Sequence, residues 1–316
     1  MKKKIMVMMT GLLLAALISG CRQKDEPKSQ NQSTTSSTSS TGKSSTGSMI
    51  KPGAETGTYA VSNLTDDAVE QELQAVMKEA GVSDARAKVF FDHVTQFNSC
   101  PGMEGLISGY ERLGSTEQRF DEYKLQEAWD QEHPDFSGYN CRITSYMLMA
   151  DQIMIDEQVA VDQRNLALDL AALAEDKTAL LDEEKTEKFE QLFTTIKAAD
   201  SRDSRVQAEL VEKHLSEMGL TFKENPAMSL VTVYVNTNYG NGENELFVGH
   251  TGILFDRGEE GLYFVEKLAF QAPYRLLKLT DKAQLWTYLR EHYASFQGPD
   301  EAAPFIMENG KYVAEK

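Results

Sequence analysis

The stretch LFVGHTGILFDRGEEGLYFVEKLAF, Leu246–Phe270, sets the fold class. Two runs rich in β-branched and aromatic residues, Leu246–Phe255 and Leu262–Phe270, flank the turn-like DRGEEG, as an antiparallel hairpin requires. The same pattern extends upstream to LVTVYV, Leu230–Val235, across the turn-like NTNYGNGEN. Downstream, Tyr274–Leu279 adds a candidate strand and Asp281–Tyr293 a helix. FIMENGKYV carries Asn309-Gly310, a two-residue hairpin signal.

Ahead of Leu230 the period is helical. Thr65 is placed to cap a helix running to about Ala80, with Gly81 as its stop, and Ser83 to cap a second from Asp84 to about Phe97. Further helical segments are expected near Gly105–Leu113 and Thr116–Gln131, and from Cys141 to about Met218 with breaks near Asp156 and Asp176. Helices first and an antiparallel sheet later predict an α+β fold. We expect one α+β domain over 59–316, with a helical insertion at about 151–226.

The first residues limit where that domain works. Lys2, Lys3 and Lys4 precede an apolar stretch from Ile5 to Ile18. That stretch is shorter than the ~20 apolar residues a membrane-spanning helix needs, so residues 1–20 read as an export signal. Residues 21–58 are dominated by Ser, Thr, Gln, Lys and Gly, a composition that buries no apolar face and is expected to form a disordered tether. The net charge is −17, and without the three lysines of the leader it is −20. Such a balance excludes nucleic acid as a partner. The sequence contains no CxxC, no HExxH and no Gly-rich phosphate loop, so neither a metal nor a cofactor is expected.

Three residues carry the candidate chemistry. Cys141 falls in the first turn of its helix with Asn140 as cap, where unpaired N–H groups and the helix dipole favour a thiolate. His250 lies in a strand between Gly249 and Gly252, small neighbours expected to leave room for a substrate at the imidazole. Glu266 shares the even face of its strand with Leu262, Phe264, Leu268 and Phe270. The odd face, Tyr263, Val265, Lys267 and Ala269, is expected to meet solvent. A carboxylate on a core face needs a partner. Antiparallel pairing puts His250 opposite or diagonal to Glu266, a base with its orienter beside a nucleophile. For the oxyanion, the Cys141 backbone N–H is one donor, and Asn140, Tyr139 or Asn98 could supply another. Arg142 is a candidate for a substrate carboxylate, and the site is expected to open to a groove.

Ile18-Ser19-Gly20-Cys21 resembles the lipobox of bacterial lipoproteins, which implies diacylglycerol on Cys21 and anchoring of the chain to the bilayer at the outer face of the membrane. Cys141 on a helix, His250 on a strand and a polar residue on the next strand resemble papain-like cysteine hydrolases. The order is most similar to that of NlpC-type cell-wall peptidases and amidases, with GHTGILF standing as the His strand. The chain departs from them in reading Asn140-Cys141-Arg142 for Asp-Cys-Ser, in its long insertion and in its Glu266. As a whole, FNSCPG, YNCRITSYML and GHTGILF with FVEKLAFQAPY resemble a family of Gram-positive lipoproteins known only as a domain of unknown function. Two functions stand open. One is a cysteine peptidase or amidase acting on cell-wall peptide or another extracellular amide. The other is a non-catalytic binding or structural lipoprotein in which Cys100 and Cys141 form a disulfide.

Overall fold

The computed structural model describes residues 57–314, apart from 177, 179, 180 and 239–242. The leader, Cys21 and nearly all of the tether lie outside the described residues. The described part belongs to one compact unit. It begins with strand β1 (Tyr59–Ser62) and two helices, α1 (Asp67–Glu79) and α2 (Asp84–Asn98). Strand β2 (Glu111–Leu113), α3 (Glu122–Glu132) and α4 (Cys141–Met149) follow. The insertion holds β3 (Ile153–Met154), α5 (Ala167–Glu175), α6 (Glu183–Leu192), β4 (Ile196–Lys197), α7 (Ser204–Glu217) and β5 (Thr221–Phe222). The long strands come next: β6 (Met228–Asn238), β7 (Asn244–Asp256), β8 (Leu262–Lys267) and β9 (Tyr274–Leu279). Helix α8 (Lys282–Tyr293) and the hairpin of β10 (Phe305–Glu308) and β11 (Lys311–Tyr312) complete the chain.

The fold is α+β, as the change of period near Leu230 predicts. Among the described residues the main sheet has nine strands, in the order β11-β10-β6-β7-β8-β9-β1-β2, with β4 added alongside β7. Every pairing in it is antiparallel. The Asn309-Gly310 turn is formed as expected, with both residues at positive φ.

Local chemistry accounts for the departures. Helix α1 is capped by Asp66, whose carboxylate accepts from the N–H groups of Ala68 and Val69, and not by Thr65. The Thr65 hydroxyl instead donates to the Ile107 carbonyl at 3.2 Å. Val69, Leu73, Val76 and Met77 then form one buried stripe at helical spacing. Ser83 caps α2 as predicted. The segment 105–113 is not a helix. Gly105 and Gly109 both take positive φ, conformations that stop a helix, and Glu111–Leu113 pairs with β1. The helix expected from Thr116 starts only at Glu122, behind an Asp121 cap. The insertion contains three helices, as its period indicates, interrupted by strands of two residues each.

The sheet is covered on both faces. One face packs against the helices of the first half and the insertion, where Leu73, Phe90, Tyr146, Phe189 and Val211 join Leu230, Ile253 and Val265. The other packs against α8, where Leu285, Tyr288, Leu289 and Tyr293 meet Val233, Leu254, Phe264 and Leu277. This corrects the expectation for β8: its odd face does not meet solvent, and Tyr263, Val265 and Lys267 are all buried. The strand also ends at Lys267 and does not reach Phe270, because the chain turns so that the carbonyls of Ala269, Phe270 and Ala272 all accept from Lys267 Nζ.

A register shift opposite Val233 and Tyr234 leaves Gly249 outside the ladder as a bulge. The bulge changes the parity of β7. Val248 packs with the large helical core, while His250 faces α8 and stacks on Tyr293 at 4.9 Å between ring centroids. Gly249 and Gly252 do not make room for a ligand, as the sequence suggested. A Cβ on Gly249 would lie 2.5 Å from Val235 Cγ2, and one on Gly252 would strike the Phe264 ring and come 2.7 Å from the Val265 carbonyl. Both glycines allow strands and side chains to close. Gly252→Ala should therefore destabilise the protein by about 1–3 kcal/mol through overpacking, read as a lower urea midpoint at unchanged slope. A midpoint equal to wild type would show that the β7–β8 contact is looser than described.

Candidate functional site

The β7–β8 ladder runs from Asp256↔Leu262 to Gly252↔Glu266. Beyond it the strands part, and α4 packs against both. Its first turn is held by a polar tie. Arg142 donates to both carboxylate oxygens of Asp169 on α5, at 2.8 and 2.6 Å, and to the carbonyls of Val248 and Asn165 at 3.1 Å. Four of its five N–H donors are thus used in fixing α4 to β7 and α5, and its charge is met by Asp169. Asn140 caps α4 through Ile143 N–H and donates its own amide to Asp169 at 2.8 Å.

This anchoring sets Cys141 beside His250. His250 sits two residues past the Gly252↔Glu266 pair, diagonal to Glu266 on the same face. Its Nε2 is 2.8 Å from Glu266 Oε2. Its Nδ1 is buried without a hydrogen bond of regular geometry, and the ring's other interacting neighbour is the Cys141 thiol. Loose thiol–imidazole geometry is common where no substrate is bound. Glu266 is held from two more sides. The Tyr288 hydroxyl of α8 donates to Oε1. Arg275 on β9, the register partner of Glu266, lies 3.8 Å from the same oxygen and donates to the Tyr288 hydroxyl at 2.9 Å.

The charges follow from these contacts. Burial by itself pushes the Cys141 thiol up; the imidazole and the Arg142 charge outweigh it and hold the thiol below its ordinary value. Burial likewise depresses His250, yet Cys141 and Glu266 raise it to about 9. Burial raises Glu266, and His250 with Arg275 brings it below the ordinary carboxylate value. The arrangement favours the charged thiol–imidazole pair, backed by a carboxylate with a guanidinium behind that.

The sequence thus identified the three central residues, and the structure brings them together. The other candidates fall out differently. The Tyr139 hydroxyl donates to Asp176 at 2.9 Å, and the Asn98 amide to the carbonyls of Asn63 and Leu64 at 3.0 Å. Tyr139 and Asn98 have thus spent their donors, and Asn140 has one of its two amide hydrogens on Asp169. The Cys141 backbone N–H remains, one of the first-turn groups a helix cannot satisfy internally. Cys100 and Cys141 are both free, so the disulfide of the alternative reading is not formed. Cys100 packs among the aromatic residues at the end of α2 and donates to the Ala128 carbonyl at 3.4 Å. The site also does not open to a groove at the thiol: Cys141, His250 and Glu266 are all buried, at 6%, 1% and 0% exposure.

Sequence reasoning missed Arg275, Tyr288 and Lys267. Arg275 was detectable, since it is a charged residue on the face that Leu277 and Leu279 bury. Lys267 is buried, donates to three carbonyls and lies over the Phe97 ring at 4.0 Å. Burial pulls its pKa well below the ordinary lysine value, and the Cys141 charge works against that pull. Among the described residues no cluster of His, Cys, Asp and Glu could hold a metal ion.

The chain belongs to a family described as a domain of unknown function (DUF4300), whose match spans residues 60–313. No curated protein and no solved structure matches it.

The thiolate can be measured directly. Thiolate absorbance near 240 nm, taken as wild type minus Cys141→Ser, should rise at a pH below the ordinary cysteine range of about 8.5. In His250→Ala the same step should move up. Cys100, whose pKa burial raises, cancels in the difference. A Cys141 step at the ordinary value, unmoved by the histidine, would contradict the charge assignment.

Proposed function

We propose that this chain is a lipid-anchored cysteine hydrolase, a peptidase or amidase working at the outer face of the membrane. What supports it is one observation: a cysteine at a helix N-terminus beside a histidine whose second nitrogen is held by a buried carboxylate. In this reading Cys141 Sγ attacks the carbonyl carbon of an amide and forms a C–S bond. The Cys141 N–H faces the developing oxyanion. His250 gives its proton to the leaving nitrogen as the C–N bond breaks. A water, deprotonated by His250, then attacks the thioester and restores the thiol. Glu266 keeps the imidazole oriented and stabilises its charge, and Tyr288 and Arg275 hold Glu266. The helix-then-strand order of Cys141 and His250 is that of papain-like and NlpC-type enzymes, which makes cell-wall peptide the substrate to try first.

The enclosure of Cys141 is the observation that favours the second reading, a binding lipoprotein in which the buried charges are structural. Under the hydrolase reading the loop ahead of α4 has to give way for the substrate to reach the thiol.

The two readings separate on reactivity. Iodoacetamide should alkylate Cys141 at neutral pH, with a rate that falls as pH drops through the lowered thiol pKa. His250→Ala should slow this reaction, and should cut turnover of a cleaved amide by about 10²–10⁴, the usual worth of a general base. Glu266→Gln should leave the thiol modifiable and shift the pH profile. A Cys141 inert to iodoacetamide in the native protein, and alkylated only on unfolding, would remove the hydrolase.

Anchoring is tested at Cys21. A Cys21→Ser chain should take up no radiolabelled fatty acid and should leave the membrane fraction. Labelling as in wild type would end the lipoprotein reading.

A further inference from the structure

One hydrogen bond fixes a point on the His250 ring and not its plane. Glu266 holds Nε2 at 2.8 Å, while Nδ1 makes no hydrogen bond of regular geometry. About the line through the Nε2 contact the ring is free to rock, because the outer torsion of a histidine side chain is broad and not confined to sharp wells. An ionised carboxylate only accepts, so the proton between the two groups sits on Nε2, and Nδ1 is the nitrogen left for the Cys141 thiol. That nitrogen serves the thiol only while the ring plane points at the sulfur. A contact on the face of the ring is what the arrangement still requires.

Tyr293, the last residue of α8, supplies that contact. Its ring stacks on the imidazole with 4.9 Å between centroids and 22° between planes. Tyr293 is itself held in place. It is buried, His292 meets its ring edge-on at 4.7 Å and Phe296 lies 5.5 Å away on the far end of the helix. His292 is tied in turn, its Nδ1 to the Ser115 carbonyl at 2.5 Å. Helix α8 therefore reaches the site twice, with Tyr288 donating to Glu266 and Tyr293 lying on His250. We propose that Tyr293 is a positioning residue, whose ring sets the plane of the His250 imidazole and so keeps Nδ1 aimed at Cys141. The use of this aim in catalysis rests on the hydrolase reading; the locking of the ring does not.

The imidazole can report on this itself. The full chain is labelled with ¹³C at the ε1 carbon of histidine, and His250→Ala identifies the His250 signal among those of five histidines. Relaxation of that carbon gives the order parameter of the ring. In the wild type it should match rigid backbone, about 0.85, and in Tyr293→Leu it should fall below about 0.6 or the signal should broaden by exchange. Tyr293→Phe, which keeps the aromatic face, should restore the rigid value. Leu289→Ala removes a core side chain of the same helix; it should lower the urea midpoint and leave the ring rigid. Tyr293→Leu should also slow alkylation of Cys141 at neutral pH by about tenfold or more, as a misaimed base does. Tyr293→Met takes the place of the leucine variant if that chain does not fold. A His250 ring already loose in the wild type, a ring still rigid without the tyrosine, or one loosened equally by Leu289→Ala would each overturn the proposal. If the ring proves locked by Tyr293 while Cys141 is inert to iodoacetamide, the positioning stands and the hydrolase reading falls. If Cys141 is reactive and the ring stays rigid in Tyr293→Leu, the reverse follows.

Discussion

A carboxylate with no access to water, Glu266, constrains the arrangement around it. Moving one ionised group out of water costs several kcal/mol even after the protein relaxes, so its oxygens have to be met from all sides. Each neighbouring element supplies something. β7 brings His250, β9 brings Arg275 and α8 brings the Tyr288 hydroxyl. The requirement passes outward from there. The imidazole's other side meets the Cys141 thiol, whose pKa it lowers, and the α4 turn carrying that thiol is fixed by Arg142 on Asp169. Removing one member leaves an uncompensated charge in the interior, which is why replacing Glu266 by its amide is a gentler probe than deleting it.

The sheet and the central trio were readable because they rest on short-range rules. Period two, the DRGEEG turn and a glutamate among Leu262, Phe264 and Leu268 are enough to pair β7 with β8 and set Glu266 diagonal to His250. What could not be read depended on partners distant in sequence. Nothing in LYFVEKLAF says that helices cover both faces, so Lys267 passed for a solvent residue. The Thr65–Asp66 choice of cap turned on Ile107, some forty residues on. Gly249 and Gly252 read equally well as space for a ligand or space for a side chain, and only the positions of Val235 and Phe264 decide between them. Tyr139, Asn140, Asn98 and Arg142 had the right chemistry for the site. Most of their donors go to Asp169, Asp176 and backbone carbonyls that the sequence does not place nearby.

The bulge at Gly249 is the point where two demands on one strand are reconciled. Leu246 and Val248 have to join the large helical core, and His250 has to face α8. A regular strand alternates strictly and cannot serve both without one extra residue. Glycine suits that place because a side chain there would meet Val235.

The order of strands has a further consequence. The longest, β6 and β7, lie inside the sheet, while its described margins are β2 with three residues and β4 and β11 with two each. A foreign strand extends a sheet by bonding to a free backbone edge, and affinity grows with the number of consecutive bonds it can form. Margins this short give an incoming chain almost nothing to template on. Short margins of this kind work against edge-to-edge spreading of the sheet between copies of the protein.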